Sequence, residues 1–286
     1  MSQDHFRDVF LPYLDDIQNR VVTAAGDWTV KGFIDVYQRI YTISLDTKVL
    51  SKVLELLMFP IIARFADEQG YDLILAKAQN HYPDISLISK TDETLCYALD
   101  IKSTYRTGVD KEGQARVSGM TLGTFGGYFR TRHKPLNSTF AYDRYIKNYV
   151  LGVVYSRIEG VDERCSYDIT DLADIPSVAN NFNFFLQEKY RIASDIPGSG
   201  NTKNIGSTHH LERMLNGSGV FSQLGIEVFD DYWMNYRNRE MAIAEGFAIQ
   251  PYTNLKNYRD FKQRGVEILN TTEEEIMSEF SEIDSD

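Results

Sequence analysis

Three observations predict a mixed α/β or α+β fold: a helical apolar period around residue 50, several apolar runs of strand length, and no regular βαβ alternation between them. The 286 residues suffice for one large domain or two small ones with a substantial core. Hydrophobic residues make up 43%, with 16 Phe and 18 Tyr, which is a globular and not a disordered composition.

Taken in order, the N-terminus MSQDHFRDVF lacks a basic start followed by an apolar core, so no secretory signal is read. Asp46 to Gln69 is predicted as a helix: Asp46 or Thr47 caps it, Leu50, Leu54, Leu57 and Ile61 recur at helical spacing, and Gly70 closes it. Pro60 is expected to kink or restart it. The most apolar stretch, Val53 to Phe65, is too short to span a bilayer and is interrupted by Glu55, Pro60 and Arg64, so no membrane partner is expected. Asp84 to Ile88 and Leu95 to Lys102 read as two strands joined by SKTDET, a hairpin with a longer loop. Tyr149 to Ile158 and Phe182 to Leu186 are further runs of strand length.

Charge and cysteines narrow the function classes. A net charge of −11 means that a polyanionic partner would need a local basic surface. The last 16 residues, Thr271 to Asp286, hold seven acids and no base, which leaves −4 for the other 270. A single domain over 1–270 with an acidic, solvated or disordered tail over 271–286 is therefore expected. Lys102 to Lys134 is locally +5, and Arg237 to Arg264 has six bases against three acids. Only Cys96 and Cys165 occur, which excludes a disulfide framework or a Cys-rich zinc module and fits a reducing, cytoplasmic setting.

The chemistry is concentrated in YPD at 82–84 and LDIK at 99–102. Side chains two apart on a strand share a face, so Asp100 and Lys102 point together while Ile101 points into the core. Asp84, at the start of the neighbouring strand, would lie across from them. Two hard oxygen donors with open coordination positions suit Mg²⁺, which keeps several waters and binds phosphate oxygens. Lys102 would orient or deprotonate the attacking water, or stabilise developing negative charge. Taken alone, Asp-x-Lys is a weak pattern that an exposed, salt-bridged strand accounts for better; the upstream Pro-Asp, the apolar flanks Ala98, Leu99 and Ile101 and the basic stretch that follows bring the nuclease reading level with it. GSGNTKN at 198–204 is not a phosphate-cradling loop, because no Gly-Lys-Ser/Thr follows at the required spacing.

These blocks resemble the PD-(D/E)xK nucleases, and among them the EcoRV-type orthodox type II restriction endonucleases. The resemblance is carried by DTKVLSKVLEL (46–56), QNHYPDISL (79–87), ALDIKSTY (98–105) and GSGNTKNIGSTH (198–209). Weaker echoes occur at TLG from 121, YDRYIKNYVLGVVYSR from 142 and DYWMNY from 231, in order over about 44–240. Residues beyond about 241 find no counterpart.

The resemblance implies a mixed central sheet flanked by helices. It makes Asp84 and Asp100 metal ligands, Lys102 the catalytic lysine and Glu55 an additional catalytic and metal-proximal acid. Lys48, Ser103 and Thr104 become DNA or active-site contacts. The loop of Gly198, Ser199, Gly200, Asn201, Thr202, Lys203 and Asn204 would read the major groove, where Asn can pair bidentately with adenine and a Thr methyl can pack on thymine. Lys203 stands where the family has Thr, and Gly127 where a hydroxyl residue is expected. Gln79 and Asn80 would lie in the minor groove and position the DNA. His81 is expected to make local hydrogen bonds and not to bind metal.

The implied activity is Mg²⁺-dependent cleavage of double-stranded DNA at GATATC, leaving blunt ends. It implies a homodimer whose dimerisation elements lie before about residue 43, and a cognate adenine methyltransferase as functional partner. Two other readings keep the same core: a structure-specific repair or recombination nuclease, and a DNA-binding regulator without activity.

Overall fold

The computed structural model describes residues 4–78, 80–162, 164–198 and 203–265. It opens with helix α1 (His5–Val21), whose Phe6, Phe10, Tyr13, Ile17 and Val21 form one buried stripe. Asp4 caps this helix and accepts hydrogen bonds from the Tyr149 hydroxyl at 2.5 and 2.6 Å and from Lys147 Nζ at 2.7 Å. Burial works against the Asp4 charge, but Lys147 and Tyr149 overcome it and hold its pKa below the usual range. Two short strands follow, β1 (Gly32–Ile34) and β2 (Arg39–Thr42).

Helix α2 (Thr47–Glu68) matches the periodicity, with the Asp46 carboxylate accepting the Lys48 N–H at 2.7 Å and Gly70 in the left-handed region beyond its end. The expected restart at Pro60 does not occur. Pro60 lies on the exposed face, four residues after an exposed Leu56, so water can satisfy the carbonyl that loses its partner. Met58, Ile61, Ile62 and Phe65 stay in the core on the opposite face.

The central sheet contains β3 (Tyr71–Leu75), β4 (Ile85–Ser89), β5 (Cys96–Val109), β6 (Ala115–Val117), β8 (Lys147–Arg157) and β10 (Ala179–Glu188). Its order is β10-β8-β5-β4-β3, with β6 paired to the far half of β5. The pair β5 and β8 is parallel and the rest are antiparallel, so the sheet is mixed. The predicted hairpin is β4 with β5, in the register Ile85 to Leu99, although β5 runs seven residues past Lys102. Among the glycines, Gly152 on β8 is required by packing, since a Cβ there would overlap the Phe185 ring of β10.

Alternation along β5 divides its side chains between two cores. Tyr97, Leu99 and Ile101 join α1 and α2 in one apolar cluster. Cys96 and Ala98 face the second, which is built with segment 117–145 and the C-terminal helices. Two small sheets flank this body, β1-β2-β9 (β9, Ser166–Asp168) and β11-β12-β7. In the latter, β7 is Thr121–Thr124, β11 Ala193–Pro197 and β12 Asn204–Ser207. The short helix α3 (Lys189–Ile192) joins β10 to β11.

Helices α4 (Leu211–Asn216), α5 (Ile226–Asn235), α6 (Arg239–Ala244) and α7 (255–265) complete the described chain. Tyr232, Trp233, Tyr236, Tyr252 and Tyr258 pack edge to face or tilted around one another. The segment beyond residue 241, unmatched by motif, is thus fastened to the second core through Tyr252 and Tyr258. No helix among the described residues is long and apolar enough to cross a membrane.

Candidate active site

Asp100 and Lys102 share the β5 face opposite Ile101, on the side of the second core. Asp84 immediately precedes β4, and the hairpin register carries it across from Asp100. Its carboxylate accepts the Ile101 N–H at 2.7 Å, which pins it between the two β5 side chains. Lys102 Nζ lies 2.8 Å from the Asp100 carboxylate and 3.5 Å from that of Asp84, and donates to the Ile101 carbonyl at 3.3 Å. Asp100 is 4% exposed, while Asp84 and Lys102 are partly open to solvent.

One ammonium facing two carboxylates sets the electrostatics. Burial and the Asp100 charge push the Asp84 carboxyl up to about 7. Asp100 also suffers from burial, but Lys102, together with Lys189, holds its carboxyl below the ordinary range. Burial acts against the Lys102 charge too, yet the two acids raise its pKa overall. The two acids thus share the Lys102 ammonium, and the second negative charge is disfavoured. Hard oxygen donors short of positive charge fit a divalent cation such as Mg²⁺, with Asp84 and Asp100 as the groups to hold it.

Of the remaining expected site residues, Lys48 and Glu55 lie on α2, and Ser103 and Thr104 on β5. Glu55 on α2 is paired with Lys52 Nζ at 2.6 Å, and no group of three or more His, Cys, Asp or Glu with metal-holding geometry occurs among the described residues. One turn earlier, the Ser51 hydroxyl meets that of Ser103 at 2.7 Å, so α2 is docked on β5 beside Lys102. Thr104 is 4% exposed and its hydroxyl has no hydrogen-bond partner among the described residues, while Lys48 is exposed on the first turn of α2. Asn80 is exposed in the turn before Tyr82, and Gln79 lies outside the described residues. The expected local bonding of the His81 ring is not seen at Nδ1, which is buried without a hydrogen-bond partner among the described residues.

The glycine-rich segment joins β11 to β12. Gly198 N–H donates to the Asn204 carbonyl at 2.9 Å and closes the loop, whose Ser199, Gly200, Asn201 and Thr202 lie outside the described residues. The Lys203 carbonyl accepts from Phe125 N–H at 2.7 Å and from the Thr124 hydroxyl at 2.9 Å, and its side chain lies against Gly126. Asn204 pairs with Thr124 across β12 and β7.

The basic stretch from Lys102 to Lys134 does not form a single phosphate-facing strip. Lys102 is held by the acids, Arg106 by Asn181 and Asn183, Arg116 by His210, Arg130 by the Tyr236 carbonyl and Arg132 by Asp230. Lys111 and Lys134 are exposed. Sequence reasoning missed Lys52, although its i, i+3 spacing to Glu55 was a signal, and Lys189, for which nothing local offered one.

Comparison with known proteins identifies the family. The family model described as "Restriction endonuclease EcoRV" matches residues 24–263, a wider span than the motifs indicated. The chain is also 35% identical over 252 residues to the type II restriction enzyme EcoRV of Escherichia coli, covering 87% of this chain and 97% of that protein. This protein therefore belongs to the EcoRV family of restriction endonucleases and is a type II site-specific deoxyribonuclease acting on DNA.

Proposed function

We propose that the protein hydrolyses both strands of double-stranded DNA at GATATC, at the centre of the site and with Mg²⁺, to leave blunt ends. The observation that carries the chemistry is the meeting of Asp84, Asp100 and Lys102, two carboxylates with too little positive charge and one fixed ammonium. Bound there, Mg²⁺ would supply charge neutralisation at the phosphate and acidify a water. Asp84 and Asp100 are the residues to hold it. Lys102, gripped by both acids and the Ile101 carbonyl, has an ammonium fixed in position to stabilise negative charge developing on the phosphate oxygens. Glu55 is the added acid beside this centre once Lys52 releases it. Lys48, Ser103 and Thr104 complete the contacts on α2 and β5.

Base choice resides in Gly198 to Asn204, whose Asn and Thr suit adenine and thymine in the major groove. Gln79 and Asn80 face the minor groove, and the deformable central TA step adds selectivity that no side chain reads. A palindrome cut on both strands needs two equivalent sites, hence a C2 homodimer. The β1-β2 region supports that assembly, since Phe33, Ile34, Val36, Tyr37 and Tyr41 are exposed together there. The endonuclease domain spans 1–270 and acts in the cytoplasm beside an adenine methyltransferase that protects host sites. Digestion of a DNA of known sequence with Mg²⁺, followed by end mapping, tests this. Flush ends within GATATC are expected, and cuts at another sequence or at branched structures replace the specificity proposed.

A further inference from the structure

Lys189, the first residue of α3, is 2% exposed, and its ammonium makes no hydrogen bond among the described residues. It sits instead 3.8 Å from the centroid of the Tyr82 ring, with the Tyr142 and Tyr128 rings at 5.4 and 5.7 Å. Tyr82 and Tyr128 stack at 4.4 Å, and the Tyr82 hydroxyl donates to Asn148 at 2.7 Å. Gly123, at φ +96°, makes room for this cage, because a Cβ there would overlap the Tyr128 hydroxyl and approach Lys189 Nζ to 3.8 Å.

An ammonium buried without hydrogen bonds is costly, and a methionine of similar shape would fill the same space without that cost. Burial pushes the Lys189 pKa down to about 7 against the attraction of Asp100. Packing alone therefore gives no reason for a lysine here. Its location does: the ammonium lies over the ring of Tyr82, two residues before Asp84.

We propose that Lys189 is a positioning residue of the nuclease centre, clamping the face of Tyr82 so that Asp84 is held in register. The inference rests on the assignment of Asp84, Asp100 and Lys102 as that centre.

The test compares full-length wild type, K102A and K189M on the duplex that the wild type cleaves with Mg²⁺, together with melting of each protein in metal-free buffer. For K189M the rate at saturating DNA is expected to fall about tenfold or more, with KM for DNA within about twofold because Lys189 cannot reach solvent. Its melting temperature is expected to equal or exceed that of wild type. A rate within twofold of wild type overturns the inference, as does a rate loss accompanied by lower melting temperature, which marks a packing role. Full activity of K102A refutes the underlying site assignment, whatever K189M does.

Discussion

The Asp84 carboxylate accepts the backbone N–H of Ile101 at 2.7 Å, so an acid at the start of one hairpin strand is bonded between Asp100 and Lys102 on the other. Asp84→Ala removes a carboxylate and this link together, whereas Lys102→Ala removes only the ammonium. Both are expected to lower DNA cleavage by about 10²-fold or more. Circular dichroism should show the fold intact, since neither side chain belongs to an apolar core. Full activity of either variant would refute the assignment.

Asp84 also makes a stability prediction with a definite sign. Its pKa rises from 3.8 to about 7 on folding, so between those values the folded state binds more protons than the unfolded. Stability contributed by this group is then lost as pH rises from about 4 to about 7, and stays lost above. Asp100, whose pKa is lowered, acts in the opposite direction at acid pH. Asp84→Asn removes the penalty without removing the side chain. In metal-free buffer at pH 8 it should melt about 3 °C or more above wild type, a shift of the size that 1 kcal/mol produces in a chain like this. The gap should close towards pH 4, and an equal difference at both pH values contradicts the shift.

Much of this centre was legible because its signals are short in range. The α2 period, the β4-β5 hairpin and the alternation of Asp100, Ile101 and Lys102 are each set within about 20 residues. What was not legible depends on distant pairing. Strand β2 meets β9 across more than 120 residues, and β7 meets β12 across about 80, which no local pattern encodes. Arg106, Arg116, Arg130 and Arg132 read as a basic surface because their partners are remote in sequence. Lys189 was hidden for the same reason, as its tyrosine cage comes from residues 82, 128 and 142.

Base recognition by the 198–204 loop predicts a loss confined to one site. On the loop reading proposed above, Asn201→Ala would remove a bidentate partner for adenine, worth about 1–3 kcal/mol. Cleavage at GATATC should therefore fall about 10- to 100-fold in kcat/KM, while non-specific binding measured at low salt changes little. Equal losses on all sequences would point to a backbone-contact role.

Dimerisation through the N-terminal sheet predicts sensitivity at Val36 and Tyr37, which are 90% and 82% exposed in the single chain. Charges placed in such a patch are desolvated on association. The double variant V36D/Y37D should sediment as one chain where the wild type sediments as two, with double-strand cleavage at one site replaced by nicking. A wild type that is monomeric with DNA bound excludes this surface.

The acidic C-terminus makes the last prediction. Residues 271–286 lie outside the described structure and carry seven of the eleven net negative charges. The aromatic cluster of Tyr232, Tyr252 and Tyr258 that fastens the C-terminal helices is formed by residue 258, so every described member of the two cores is kept when the last 16 residues are removed. Their charge repels phosphates at a range set by the Debye length, about 10 Å at 0.1 M salt. A chain ending at residue 270 is expected to retain cleavage within about twofold and to bind DNA more tightly at low salt, with the difference vanishing as salt rises. Gel-shift titrations at two salt concentrations measure this directly. Loss of cleavage on truncation would instead make the tail part of the working enzyme.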